Sequence, residues 1–327
     1  MKGVIQLIVM ERIKPLRILK NEALLRRLSK SHVKRSLIEA EQGKRIAGYQ
    51  GELASDYYVK NLLQKEYLIF HGLRLQNADD FFQIDTLILS TKFFLILEVK
   101  NYTGTIYFDF KHKQLIQYVN ELEKAYLCPI LQTKRQQYEF TNWLKELKIQ
   151  LPSEFLVTIS NPSTIIKSDP QHYEAHQKVV RPQELVDKIN VFSKQYAKDK
   201  LVSYELKKVT KTLLKKHVPE SYDALDYFKI PETDIITGVQ CPKCEVFGME
   251  RIHGTWYCPS CKVKHKDAHI QAIHDYFLLI NSTITNKKLC EFLHLTSPYI
   301  ASRLLAKMNL SYTGTKKGRV YKQKGQI

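Results

Sequence analysis

Hydrophobic and polar positions alternate most plainly between residues 83 and 100. Gln83-Ile84-Asp85-Thr86-Leu87-Ile88-Leu89 is followed by a three-residue turn and then by Phe93-Phe94-Leu95-Ile96-Leu97-Glu98-Val99-Lys100. Patterning of this kind predicts two adjacent β-strands. Strand side chains alternate faces, so Glu98 and Lys100 share one face, and Asp85 joins them if the strands pair. Two carboxylates and a lysine are out of place in an ordinary apolar hairpin.

The flanking pattern predicts an α/β core. Residues 16–47 carry Leu16, Leu19, Leu24, Leu25 and Leu28 near helical spacing. Gly48 and Gly51 are expected to end that helix, and an amphipathic helix is expected over 52–63. Strands are predicted at 67–70, 105–110, 115–119, 155–160 and 179–180, and helices at 129–147 and 182–192. Pro129 opens the first of these helices, because proline is tolerated in a first helical turn. A charged helical connector follows over 194–230.

Charge changes the picture through its distribution. The chain has 327 residues and a formal charge of +18. Residues 1–47 carry 12 Lys/Arg against 4 Asp/Glu, and residues 262–327 carry 12 against 3, so the middle is nearly neutral. Basic ends of this kind attract phosphate backbones, and nucleic acid, DNA above all, is the expected partner. No run of eighteen apolar residues argues for a membrane span. The apolar stretch from Val4 to Met10 is broken by Gln6 and lacks a small-residue cleavage site, so no signal peptide is expected. The expected compartment is the reducing cytoplasm, since four of the six cysteines fall in two close pairs.

Those pairs are Cys241-Pro242-Lys243-Cys244 and Cys258-Pro259-Ser260-Cys261, separated by 13 residues. Four thiolates complete a tetrahedral zinc shell, and the metal fixes a fold too small for its own core. The arrangement resembles a zinc ribbon, with Cys241, Cys244, Cys258 and Cys261 as ligands of a structural Zn²⁺. His253 and His265 are left outside the shell, and Trp256 and Tyr257 suit a short hairpin between the pairs.

Asp85, Glu98 and Lys100 supply the parts of a metal-dependent phosphodiesterase. Mg²⁺ takes one or two carboxylates plus water and substrate phosphate, and a lysine can orient the attacking water. A Glu-x-Lys triplet alone is weak: Glu146-Leu147-Lys148 and Glu205-Leu206-Lys207 also occur, in polar helical contexts. The surrounding residues are more specific. Gly51-Glu52, Gln83-Ile84-Asp85, Glu98-Val99-Lys100-Asn101-Tyr102-Thr103-Gly104 and Pro129-Ile130-Leu131-Gln132 together resemble the nuclease-related domain, NERD, of the PD-(D/E)xK restriction-endonuclease-like superfamily. The resemblance covers about residues 48–160. It implies a restriction-endonuclease-like mixed sheet flanked by helices and a divalent-metal-dependent nuclease. Asp85 and Glu98 would hold Mg²⁺ or Mn²⁺, Lys100 would position water, and Glu52 and Gln132 would assist. Lys134 and Arg135 read as ordinary surface charge. The alternative is a non-catalytic DNA-binding or regulatory protein on the same fold.

The last region predicts helices over 267–280, 285–293 and 298–308, then a basic β-wing over 310–323. The tight turn between the last two helices resembles a helix-turn-helix, and the whole resembles a winged helix. In such a module the third helix enters the major groove. Ser297, Tyr299, Ser302, Arg303 and Lys307 are then expected to face DNA, with Lys316, Lys317 and Arg319 on the wing. Ile300, Leu304 and Leu305 are expected to pack inward. The expected organisation is a basic helical segment at 1–47, the nuclease-like domain at 48–193, the connector at 194–235, the ribbon at 236–265 and the helix-turn-helix or winged-helix-like domain at 266–327.

Overall fold

The computed structural model describes residues 8–60, 62, 66–77 and 80–324, without the side chain of Lys317. The chain forms two compact units. One holds the described residues of Met1–Ile13 and Ile46–Glu220, the other those of Lys14–Arg45 and Ser221–Ile327.

The chain enters the first unit on β1 (Ile8–Met10). Helix α1 (Leu16–Arg27) belongs to the second unit. Helix α2 (Arg35–Val59) brings its C-terminal half, from Ile46, into the first. The central sheet is built from β1, β2 (Leu68–Asn77), β3 (Asp80–Leu89), β4 (Phe94–Lys100), β8 (Ser153–Ile159) and β10 (Val179–Val180). Their order in space is β1-β2-β3-β4-β8-β10. The sheet is mixed: β2, β3 and β4 are antiparallel neighbours, while β4-β8, β8-β10 and β1-β2 are parallel. A second sheet of β5 (Thr105–Asp109), β6 (Gln114–Val119), β7 (Leu122–Leu127) and β9 (Ile165–Ser168) has the order β7-β6-β5-β9. Helices α3 (Pro129–Glu146), α4 (Tyr173–Lys178), α5 (Leu185–Gln195) and α6 (Ser203–Lys216) complete the unit.

Side-chain alternation divides the core into two faces. Leu87, Leu89, Phe94 and Ile96 pack with Ile130, Phe140 and Leu144 of α3. Ile88, Leu95 and Leu97 pack on the opposite face with Val59 of α2 and Leu185, Ile189 and Phe192 of α5. Phe94 meets Phe140 edge-on, ring centroids 4.9 Å apart. A sheet buried on both faces explains why β4 reads as an unbroken apolar run. It also fixes direction: Asp85, Glu98 and Lys100 have the parity of Leu87, Phe94 and Ile96, and so lie on the α3 face.

Several expectations need correction. Gly48 and Gly51 do not end a helix; α2 runs through both. Gly51 is there for packing, since a Cβ would sit 2.5 Å from Ser160 Oγ and 2.9 Å from Asn101 Cβ. The helix expected over 52–63 closes at Val59, and residues 61 and 63 lie outside the described ones. Strand β2 extends to Asn77, and β7, whose face is largely exposed and so lacks an alternation signal, was not predicted. Glu205 of the third Glu-x-Lys triplet caps α6, accepting from the Val202 N–H at 3.0 Å.

The second unit contains α1, α7 (Ala224–Phe228), a three-stranded sheet of β11 (Glu250–Ile252), β12 (Thr255–Tyr257) and β13 (Lys264–His265), and a helical end. That end runs α8 (Ala268–Leu279), β14 (Thr283–Thr285), α9 (Asn286–Leu293), α10 (Pro298–Lys307), β15 (Leu310–Thr313) and β16 (Val320–Gln323). Its strands pair in the order β14-β16-β15. Thr285 caps α9 by accepting from the Lys288 N–H. Ser297 occupies the N-cap of α10 with Pro298 behind it, although its side chain makes no capping bond.

Candidate functional site

The β3-β4 ladder stops at Thr86↔Leu97. One position further, the same register sets Asp85 opposite Glu98, and directly opposed residues share a face. There the strands part. The Val99 N–H donates not to a β3 carbonyl but to the Asp85 carboxylate, Oδ2 at 2.9 Å. Strand β4 meanwhile continues beside β8 to Lys100↔Ile159. Asp85 thus spends one oxygen on the backbone and keeps its other oxygen for the site.

Glu98 is 2% exposed, and a buried carboxylate needs partners. Lys100 Nζ lies 2.6 Å from its Oε1. Gln132 donates to the same oxygen at 2.7 Å, and its own Oε1 accepts from Lys100 Nζ at 3.0 Å. Gln136 donates to Oε2 at 2.8 Å and to the Gln83 carbonyl at 2.9 Å. Gln132 and Gln136 stand one turn apart on α3, on the face that packs against β4. Sequence reading singled out the first and missed the second, although the i, i+4 spacing was there to be read.

Electrostatics mark the same place. Burial, then the charges of Glu98 and Glu52, push the Asp85 carboxyl well above the usual range against the pull of Lys100 and the Val99 N–H. Burial alone would lower the Lys100 ammonium, but Glu98 and Asp85 outweigh it and raise it. Carboxylates that repel one another in a poorly solvated pocket, with one lysine between them, make a charge set that a divalent cation would complete. Asp85 and Glu98 therefore fit such an ion. Lys100 holds one of the Glu98 oxygens, Oε1.

Glu52 approaches from α2. Its carboxyl is raised by burial and by the charges of Asp56 and Glu98, with Arg12 opposing. Arg12 Nη1 donates to Glu52 Oε2. The parallel pairing Met10↔Phe70 delivers Arg12 to this place, beside His71 of β2. Arg12 Nε donates to Asp56 Oδ2 at 2.6 Å, and Nη2 lies 3.0 Å from Asp56 Oδ1, 2.8 Å from Thr86 Oγ1 and 2.9 Å from the Asp85 carbonyl. His71 Nδ1 is 3.1 Å away from Nη2. Burial lowers His71 to about 4, so the ring is neutral at pH 7, and its Nδ1 also lies 3.3 Å from Asp56 Oδ1 and 3.2 Å from Thr86 Oγ1. Arg12, Asp56, His71 and Thr86 lie far apart in the sequence and belong to none of the motifs.

Around this group the backbone is closely fitted. Asn101 donates to the Ala47 carbonyl at 2.6 Å, tying the end of β4 to α2. Gly104 has φ +74°, and a Cβ there would sit 2.3 Å from the Tyr118 carbonyl oxygen. Lys134 and Arg135 are engaged by Glu174 and Glu139, as surface charge is.

In the second unit the sulfurs of Cys241, Cys244, Cys258 and Cys261 lie within 4.8 Å of one another. Cys241 Sγ is 3.6 Å from Cys261 Sγ, and Cys244 Sγ is 3.6 Å from Cys258 Sγ. That is far beyond a disulfide bond and close to the roughly 3.8 Å edge of a tetrahedron with 2.3 Å zinc-sulfur bonds. The four residues fit a tetrahedral metal such as zinc, and neither His253 nor His265 joins the group. The hairpin β11-β12 carries Trp256, 1% exposed, whose indole N–H meets His269 at 3.1 Å.

On α10, Ala301, Leu304 and Leu305 are buried and Ile300 is half-buried. Tyr299, Arg303 and Lys307 are exposed, while Ser297 and Ser302 are half-buried. Arg303 lies 5.7 Å from the Tyr299 ring, and Arg319, half-buried between β15 and β16, lies 4.2 Å from the ring of Tyr312. Lys316 is exposed; the Lys317 side chain lies outside the described residues. Part of the basic N-terminal block is used internally. Arg27, 1% exposed, pairs with Asp275 at 2.9 Å and bonds the Ile236 and Gly238 carbonyls. Arg26 also holds Asp275, and Lys34 holds the Phe228 and Lys229 carbonyls. Counting charge from sequence therefore overstates what this end offers a polyanion.

No helix among the described residues is long and apolar enough to cross a membrane. No curated protein matches the chain. The crystal structure of protein VC1899 from Vibrio cholerae is similar over 50% of this chain at 9% identity and a TM-score of 0.24, and the chain spans only 37% of that protein. Residues 47–160 match the nuclease-related domain family. That span holds Glu52, Asp85, Glu98, Lys100 and Gln132, and this chain carries a nuclease-related domain there.

Proposed function

We propose that the protein is a divalent-metal-dependent nuclease acting on DNA. The observation that carries this reading is the convergence of Asp85, Glu98 and Lys100 on one face at the point where β3 and β4 part. Asp85 and Glu98 would hold Mg²⁺ or Mn²⁺, which would supply a polarised phosphate and a more acidic water. Lys100, released from Glu98, would orient that water and offset charge on the phosphate. Gln132 and Gln136 keep the Glu98 carboxylate in one orientation, and Glu52 contributes negative charge from the α2 side.

In the second unit we assign Zn²⁺ to the four cysteines and a winged-helix role to the α8–β16 region. The order helix, strand, helix, helix, strand, strand supports this. Tyr299, Arg303, Lys307 and Lys316, with Ser297, Ser302, Lys317 and Arg319, are the DNA-facing candidates. A reducing compartment, the cytoplasm, suits four thiolates. The nuclease core is taken as 48–193, the ribbon as 236–265 and the DNA-binding module as 266–327.

The test is cleavage of single-stranded, duplex and branched DNA with Mg²⁺ or Mn²⁺ by wild type and by Asp85→Ala, Glu98→Ala and Lys100→Ala. Loss in all three variants is expected; equal cleavage by all four proteins sinks the site. A second reading, a DNA-binding protein without turnover, draws on one observation: both Glu98 oxygens already have protein partners. Salt-sensitive DNA binding with no cleavage under any divalent metal would favour it.

A further inference from the structure

Arg12 lies outside the matched domain, yet its guanidinium is the most heavily engaged group beside the site. Its side chain is 6% exposed. The Nη2 nitrogen carries two hydrogens but has three acceptors within 3.0 Å, Asp56 Oδ1, Thr86 Oγ1 and the Asp85 carbonyl, with His71 Nδ1 3.1 Å away. These come from α2, β3 and β2. With more acceptors than hydrogens, Nη2 sits where the surroundings offer oxygen ligands to a positive charge beyond what its own N–H groups can use. Glu52 adds a second carboxylate to the same group, and Asp56 gives its other oxygen to Nε. A carboxylate, a carbonyl, a hydroxyl and a neutral imidazole are also ligands that a small divalent ion such as Mn²⁺ accepts.

We propose that Arg12 is a built-in cation of the nuclease site, a positioning residue occupying a cage that would otherwise take a second divalent ion. It engages Glu52 by one oxygen and Asp85 by its main-chain carbonyl, and so acts on the site through those two residues. Strand β1 then has a function, because it carries this charge into the domain from outside the matched span. The inference rests on the proposed metal site at Asp85 and Glu98.

Mn²⁺ stoichiometry separates the two claims. The zinc-loaded full-length chain is titrated with Mn²⁺, and free ion is followed by electron paramagnetic resonance. Wild type and Arg12→Lys are expected to bind one ion, lost in Asp85→Asn. Arg12→Ala is expected to bind a second, which Arg12→Ala/Asp56→Asn loses. If Arg12→Ala binds no more Mn²⁺ than wild type, or wild type already binds two ions, the inference is overturned. If wild type binds none, the Asp85-Glu98 site falls, while the ion gained by Arg12→Ala still decides this one. Should Arg12→Ala not fold by itself, it is refolded from urea with and without excess Mn²⁺. Recovery only with the ion supports the cage, and failure in both overturns it.

Discussion

Two glycines three residues apart on α2 should respond to alanine with opposite signs. Gly48 has nothing within 4 Å of an added Cβ. Alanine there should stabilise by about 0.5–1 kcal/mol, the helix-interior difference between the two residues. At Gly51 the same gain is opposed by contacts of 2.5 Å to Ser160 Oγ and 2.9 Å to Asn101 Cβ. Overpacking costs about 1–3 kcal/mol. The upper part of that range applies because the clash is two-sided and Asn101 is anchored to Ala47. The net loss is then about 1–2 kcal/mol, so the two variants should differ by about 2–3 kcal/mol. Urea unfolding followed by Trp143 reads this in a Trp256→Phe background, because the chain's two tryptophans lie one in each unit. Adding Ser160→Ala should recover part of the loss and leave the Asn101 contact. Gly51 precedes Glu52 and Asn101 follows Lys100, so displacement here should cost more in cleavage than in stability. If Gly51→Ala stabilises as Gly48→Ala does, the close approach of α2 to the end of β4 is wrong.

Glu98→Gln leaves Lys100 beside a neutral amide and turns an NH₂ toward one set of donors. It should destabilise by about 1–3 kcal/mol and abolish cleavage; a variant as stable and active as wild type would contradict the geometry. The raised Asp85 carboxyl means the folded chain binds more protons than the unfolded chain just above the ordinary carboxylate range. Without metal, its stability should therefore fall as pH rises through that window, while Mn²⁺ affinity rises over the same window. His71 has the reverse sign. Held near 4 in the fold against 6.5, it should cost up to about 3 kcal/mol as pH drops from 6.5 through 4. Comparing wild type with His71→Gln by urea unfolding checks this slope. Zinc chelation should disorder β11-β12 and change the emission of buried Trp256, with unchanged emission counting against a structural metal. Tyr299→Ala and Arg303→Ala should weaken DNA binding, the second also lowering the salt slope by about one.

Much of this protein is determined locally and could be read from sequence. Apolar-polar patterning placed β3 and a short apolar run placed β4, and their pairing sets Asp85, Glu98 and Lys100 on one face, because the pleat allows no other arrangement. Cysteine spacing announced the four-sulfur cluster, and the Thr285 cap and Pro298 marked α9 and α10. Tertiary structure decided the rest. Helix α2 passes through Gly48 and Gly51 because an interior glycine costs only about 1 kcal/mol and packing at Gly51 demands the missing side chain. Part of the basic N-terminal block turned inward, since Arg27 and Lys34 found carboxylate and carbonyl partners more than 190 positions away. Arg12 meets Glu52, Asp56 and Thr86 at separations of 40, 44 and 74 residues. Contacts at that range leave no periodic trace along the chain, so only the folded sheet shows which charges surround the carboxylates of the candidate site.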